Sequence, residues 1–241
     1  MSAPIRVLIG IQARSTSKRF PGKCFAMLGE KTVLDHVIDN AIECCTYLNN
    51  FKEKNGFVAS AALCIPYNDP IKERYQNKIN IIVEGPEDDV LERYKILVSK
   101  MDPDYLVRVT GDCCLLPGYV ITKHINVAVK NTYDYVSNVD ERIRTTLDGF
   151  DVEVISRRLF DYTAECAKIQ HDREHVTTWM RRCTPTWARV GHVVGYLDFA
   201  DVKLSVDTPE DLERVRKHYD KIQLAIKVAE DLHGKRNVHR L

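Results

Sequence analysis

The chain has 241 residues, a formal net charge of +1, 44% hydrophobic residues and 29% charged residues, a balance that fits one large globular domain or one domain with an insertion. Near-neutrality excludes a broad nucleic-acid-binding surface, so any positive charge that matters must be local. No run of about 18 apolar residues occurs, which excludes a helical membrane span.

The first strand is expected at "RVLIGIQ", a continuous apolar run of the kind a strand buried on both faces requires. A cationic loop, "QARSTSKRFPGK" (12–23), follows at once. "TVLDHVIDNAIECC" then places Leu34, Val37, Ile38, Ala41, Ile42 and Cys45 at helical spacing. "GFVASAALCIP" and "INIIVEG" read as the second and third strands. "PEDDVLERYKILVSKM" reads as an amphipathic helix with Pro86 in its first turn. "DYLVRVTGD" is the fourth strand, ending at Gly111–Asp112, and "GYVITKHINVAVK" the next helix. Strand and helix alternating at this pitch imply a parallel, doubly wound α/β sheet.

The second half is less regular. "YDYVSN" and "FDVEVIS" read as short strands, "REHVTTWMRR" as one short helix, and "WARVGHVVGYLDF" as a strand or hairpin. In "KLSVDTPEDLERVRKHY" a short strand leads into a helix with Thr208 as N-cap and Asp211 at the third position, a variant of the capping box. These features describe a single domain over 1–241, with a small insertion carrying antiparallel strands in the region 133–200. The eight cysteines include no CxxC, and the pairs Cys44–Cys45 and Cys113–Cys114 suit neither a zinc site nor a disulfide framework. The opening "MSAPIRVLIGIQAR" lacks a secretory leader's cationic start and cleavage site. Reduced thiols and a cytoplasmic location are expected.

Chemistry in an open parallel sheet gathers at the carboxyl ends of the strands. The cationic loop lies there, with Arg14, Lys18, Arg19 and Lys23 within ten residues. Taken alone it could be a solvated surface loop. Its place after a buried strand instead favours a polyphosphate, which backbone N–H groups and cationic side chains would both hold. Neither a Walker A sequence nor a G-x-G-x-x-G fingerprint is present. Asp112 and Asp207 are hard oxygen donors at expected strand ends, suited to magnesium shared with substrate phosphates. Asp112 also reads as a turn residue, and Asp207 as helix-capping chemistry.

The loop resembles the "QAR-M-x-S-T-R-L-P-G-K" signature of the cytidylyltransferases related to CMP-KDO synthetase and CMP-acylneuraminate synthetase. The likeness is greatest to the branch named after spore-coat polysaccharide biosynthesis protein F. "EDDVLERY", "VRVTGDCCLL", "YVSN", "DGFDVEVIS", "REHVT" and "LSVDTPEDLERV" agree in order and cover most of the chain.

The resemblance implies a Rossmann-like nucleotidyltransferase fold, CTP as donor, Mg²⁺ as cofactor, a small-molecule acceptor and a homodimer. It implies that Gln12, Ala13, Arg14, Ser15, Arg19, Lys23, Arg93, Thr110, Gly111 and Asp112 bind the nucleotide. Arg14, Lys23, Asp112 and Asp207 would act in catalysis, with Asp112 and Asp207 holding the metal. Asp151, Glu153, Arg173 and His175 would face the acceptor. The expected reaction is attack of an acceptor hydroxyl or phosphate on the α-phosphate of CTP, releasing pyrophosphate. Its product would be a CMP- or CDP-activated sugar, sugar acid or small phosphorylated metabolite for surface polysaccharide. A nucleotide-sugar glycosyltransferase and a silent nucleotide-binding relative are the alternatives; the first lacks its D-x-D at "GDCC". The chain departs from the family pattern at Thr16, where glycine is usual, at Lys18 and at Cys114. His124 and His171 read as surface residues, and Trp179 and Trp187 as packing anchors.

Overall fold

The computed structural model describes residues 3–50, 56–195 and 197–238. Strand β1 (Ile5–Gln12) lies inside the sheet and is buried on both faces. Its Val7, Ile9 and Ile11 enter one core cluster and Leu8 the other, the two-fold alternation a strand imposes. Gly10 is required here because a Cβ would lie 2.4 Å from the Tyr94 ring, whose hydroxyl donates to the Gly10 carbonyl at 2.9 Å.

After β1 come a 3-10 turn at Lys23–Phe25 and a tiny hairpin, β2 (Met27–Leu28) with β3 (Lys31–Thr32). Helix α1 (Val33–Asn50), β4 (Phe57–Pro66), α2 (Ile71–Tyr75), β5 (Ile82–Gly85), α3 (Val90–Met101), β6 (Tyr105–Thr110) and α4 (Gly118–Lys130) complete the alternating half. Then follow β7 (Tyr135–Ser137), β8 (Glu153–Ser156), α5 (Arg157–Cys166), α6 (Gln170–His175), α7 (Thr178–Arg182), β9 (Val190–His192) and α8 (Pro209–Val238).

The main sheet runs β5-β4-β1-β6-β8-β7-β9. β5, β4, β1 and β6 are mutually parallel; β8 alone reverses, pairing antiparallel with β6 and β7, and β9 is parallel to β7. β7, β8 and β9 thus extend the same sheet. The chain travels outward from β1 through β4 to β5, then returns to place β6 on the other side of β1. That reversal opens a crevice at the carboxyl ends of β1 and β6, the topological switch point. α1, α4 and α8 contribute to one core cluster, α3 and α5 to the other.

Several elements differ from the sequence expectation. α3 begins at Val90 rather than Pro86, because the Asp89 side chain caps it by accepting from Glu92 N–H at 2.9 Å. "REHVTTWMRR" falls into two helices, α6 and α7, broken at Val176 with φ 58°. Thr177 N–H donates to the His175 carbonyl across that residue, a γ-turn that is strained for a β-branched side chain. In "WARVGHVVGYLDF" only Val190–His192 is a strand and no hairpin forms among the described residues; Tyr196 lies outside them. "KLSV" contributes a single bridge, Asp148 to Lys203, rather than a strand. The capping box at α8 is formed: Thr208 Oγ1 accepts from Asp211 N–H at 3.2 Å, and Asp211 Oδ2 accepts from Thr208 N–H at 3.1 Å. All eight cysteines are free and six are buried. His124 is a core residue, 1% exposed, with Nδ1 against the Val120 carbonyl at 2.8 Å; burial pushes its pKa down to about 4.

Candidate active site

The cationic loop is shaped by a residue that sequence reading did not single out. Asp69, buried just beyond β4, accepts from the Ser15 backbone N–H at 2.9 Å and from the Ser15 hydroxyl at 3.1 Å. The loop closes on itself where Gly22 N–H donates to the Ser15 carbonyl at 2.8 Å. Gly22 adopts φ 72°, and this left-handed turn launches the 3-10 turn carrying Lys23. Thr16 is not in the left-handed region, so its backbone does not need a glycine. Its hydroxyl donates to Glu87, which also pairs with Arg14 at 3.7 Å.

Lys23 is the centre of the site. Its Nζ donates to Asp112 Oδ2 at 3.1 Å and to Asp207 Oδ1 at 3.2 Å. Asp112 projects from the end of β6 and Asp207 from the turn before α8. Val206 N–H donates to the Asp112 carbonyl at 3.1 Å and joins the two segments. Arg19 Nη2 lies 2.9 Å from Asp207 Oδ1, and Lys203 Nζ lies 3.3 Å from Asp207 Oδ2. Thr110 Oγ1 donates to Asp112 Oδ1 at 2.5 Å.

Burial works against charge on both Asp112 and Lys23, yet their mutual attraction prevails. The Lys23 ammonium, with the Thr110 hydroxyl, holds the Asp112 carboxyl below the ordinary carboxylate range. Asp112 and then Asp207 raise the Lys23 pKa. Both groups are therefore ionised at neutral pH.

These residues border a cleft of ≈ 380 Å³ at the switch point. Every sequence-predicted nucleotide residue except Ser15 lines it, as do Asp207 and His175. Arg93 is 2% exposed and spends its Nη atoms on backbone: Nη1 reaches the carbonyls of Cys64 (3.2 Å) and Ala13 (3.4 Å), and Nη2 that of Glu87 (3.4 Å). It ties three strand-end segments together. With no carboxylate on its guanidinium among the described residues, desolvation lowers its pKa.

The residues expected to face the acceptor do not gather in the same way. Of the four, only His175 lines the cleft, its ring 4.6 Å from that of His171. Glu153 is buried, with one oxygen on Arg108 and the other on the Tyr135 hydroxyl. Arg173 binds Asp89 at 2.6 Å and Glu92 at 3.3 Å, bracing the start of α3. Asp151 accepts from Arg144 at 2.6 Å. Burial, aided by Asp148 and Glu153, pushes its pKa up to about 6 against the pull of Arg144.

Asp112 and Asp207 supply hard oxygen donors from two chain segments to one point. Among the described residues no third His, Cys, Asp or Glu completes a metal-binding group with them. That donor set fits a cation carried in with phosphates and waters rather than an all-protein cage.

Residues 8–232 match the family model described as cytidylyltransferase. The chain is 27% identical over 226 residues to an uncharacterized protein of Methanocaldococcus jannaschii, covering 91% of this chain and 87% of that one. It is also 27% identical over 219 residues to spore coat polysaccharide biosynthesis protein SpsF of Bacillus subtilis (89% of this chain, 87% of the relative). Among solved structures, a cytidylyltransferase from Leptospira borgpetersenii superposes with a TM-score of 0.76 at 22% identity, covering 94% of this chain and 96% of that one. CMP:2-keto-3-deoxy-manno-octonic acid synthetase complexed with CTP superposes with a TM-score of 0.64 at 14% identity (90% and 99%). At these identities the solved structures establish the shared fold.

Proposed function

The chain belongs to the cytidylyltransferase family and is a CTP-dependent nucleotidyltransferase, and from that premise we propose that the switch-point cleft transfers CMP from CTP, with Mg²⁺, to an oxygen of a small acceptor. The observation that carries the proposal is Lys23 held between Asp112 and Asp207, with Arg19 on the same carboxylate, at the end of the cationic loop. The cluster sets oxygen donors for a divalent cation beside cations for a triphosphate.

Arg14, Arg19 and Lys23 bind the phosphates. To do so, Arg14 exchanges Glu87 for phosphate oxygen, and Arg19 and Lys23 exchange part of their carboxylate contacts. Asp112 and Asp207 would hold Mg²⁺, which supplies charge neutralisation on the phosphates when bound. The protein's own work is alignment of two substrates and fixed positive charge around the leaving pyrophosphate.

On the acceptor side His175 remains the candidate, while Asp151, Glu153 and Arg173 support the wall from inside. The likeness to a spore coat polysaccharide biosynthesis protein supports an activated sugar, sugar acid or small phosphorylated compound as product, destined for surface polysaccharide. Exposed Ile143, Val194, Leu197 and Phe199 in the second half support a homodimer that covers them. Among the described residues no helix is long and apolar enough to cross a membrane.

A pyrophosphate-release screen tests the reading, with each NTP against sugar acids, sugar phosphates and small phosphorylated metabolites. Release with CTP and Mg²⁺ supports it. No release with any acceptor, together with no CTP binding, contradicts it.

A further inference from the structure

A row of polar side chains crosses four neighbouring strands beside the cleft. Arg108 on β6 sits level with Gly10 of β1 and opposite Glu153 of β8. Its Nε donates to Gln12 Oε1 at 2.9 Å, and its Nη1 donates to Glu153 Oε2 at 2.5 Å. Tyr135 on β7 closes the row by donating its hydroxyl to the other Glu153 oxygen. The Glu153 side chain is 2% exposed and that of Arg108 15%. A paired charge at this depth is costly to separate, so the guanidinium is held in one orientation.

The row has a chemical polarity. A guanidinium N–H can only donate, so the Gln12 atom facing Arg108 must be its carbonyl oxygen. The other end of the amide then carries two N–H donors directed away from Arg108. No described residue accepts from them, and Gln12 lines the cleft. Gln12 is also the register partner of Thr110 and lies one residue before the Ala13–Arg14 start of the cationic loop. Its donors therefore stand at the level of the Asp112 strand end, among the groups assigned to the nucleotide.

We propose that Arg108 is a positioning residue that locks the Gln12 amide, so that Gln12 is an obligate neutral hydrogen-bond donor to an oxygen of the bound nucleotide. The proposal rests on the reading of the cleft as the CTP site. It gives Glu153 and Tyr135 a purpose that does not require contact with the acceptor: they hold Arg108. It also adds a donor of fixed direction and no charge to a site whose phosphate-binding side chains, Arg14, Arg19 and Lys23, are cations with alternative partners.

The test is calorimetric titration of CTP, and separately of inorganic triphosphate, with Mg²⁺ present, into wild type and variants whose thermal unfolding midpoints are recorded. Gln12→Glu keeps an acceptor for Arg108 but offers no N–H, and should weaken CTP binding by about tenfold or more. Gln12→Met removes the donors without adding charge, and should weaken it by several-fold. Weakening toward both ligands places the contact on a phosphate, and weakening toward CTP alone places it on the nucleoside. Arg108→Met should weaken CTP binding through Gln12, so the double variant should be little worse than Gln12→Met. A merely structural Arg108 would shift the midpoint and leave affinity unchanged, or add its loss independently. Should Arg108→Met fail to fold, the two Gln12 variants decide the matter. Gln12→Glu binding CTP as wild type does would overturn the proposal. So would Gln12→Met at wild-type affinity, since the Glu effect would then be charge repulsion alone. A wild-type protein that binds no CTP would overturn the nucleotide reading itself.

Discussion

The two sides of the cleft are built differently. On the loop side, Arg19, Lys23, Asp112 and Asp207 hold one another, and Arg14 holds Glu87, through contacts that border open space. On the wall side, Glu153 of β8 and Arg173 of α6 are committed to internal partners and do not border the cleft. The first arrangement can trade partners for a ligand. The second fixes walls. The contrast separates residues that should control turnover from residues that should control shape.

Asp112→Asn should have the largest effect. It leaves Lys23 short of one countercharge and replaces one of the two carboxylates with a neutral amide, so turnover with CTP and Mg²⁺ should fall by roughly 10²–10³-fold, the scale of losing one preorganised electrostatic group. Pyrophosphate release by the folded variant checks this. Turnover within a fewfold of wild type would erase the distinction between the two sides.

Asp151 tests the wall side by pH. Its folded-state pKa, raised to about 6, lies above its ordinary value, so the folded protein binds the extra proton more readily than the unfolded chain. Its contribution is neutral below about pH 4, becomes a penalty as pH rises to about 6, and is a full penalty above that. Asp151→Asn should therefore stabilise the protein at pH 7, on the order of 2 kcal/mol, and leave it unchanged near pH 3.5. Thermal unfolding across pH reads the difference.

Arg19→Ala should sharpen the loop side. The side chain is 66% exposed, so stability should stay within about 0.5 kcal/mol. CTP affinity should fall by about tenfold, the scale of one charge-assisted contact. Calorimetry and a melting curve on the same sample separate the two. Arg173→Ala should do the reverse: a loss of about 1 kcal/mol in stability from releasing Asp89 and Glu92 at the start of α3, with CTP affinity unchanged.

The loop side was legible in the sequence because its chemistry follows the backbone. A buried apolar run ends at Gln12, another at Thr110, and the capping pattern Thr208–Asp211 fixes where Asp207 must stand. Strand order then brings the three together. The wall side was not legible, because partners there are set by neighbours distant in sequence. Glu153 meets Arg108 only because β8 pairs antiparallel with β6, and Arg173 meets Asp89 only because α6 packs on α3. Asp69 was missed for the same reason: nothing in "NDPIKE" marks it as the anchor for Ser15. The split at Val176 was hidden as well, since a β-branched residue at positive φ runs against local preference and is held by the packing around it.

The central claim is that Lys23, Asp112 and Asp207 form the site where CTP and a divalent cation meet. The most direct measurement is the Mg²⁺ dependence of CTP binding by calorimetry, in wild type and in the Asp112→Asn, Asp207→Asn double variant, with folding confirmed by circular dichroism. The structure predicts that Mg²⁺ tightens CTP binding in wild type and has little effect in the folded double variant. Equal Mg²⁺ enhancement in both proteins would contradict it.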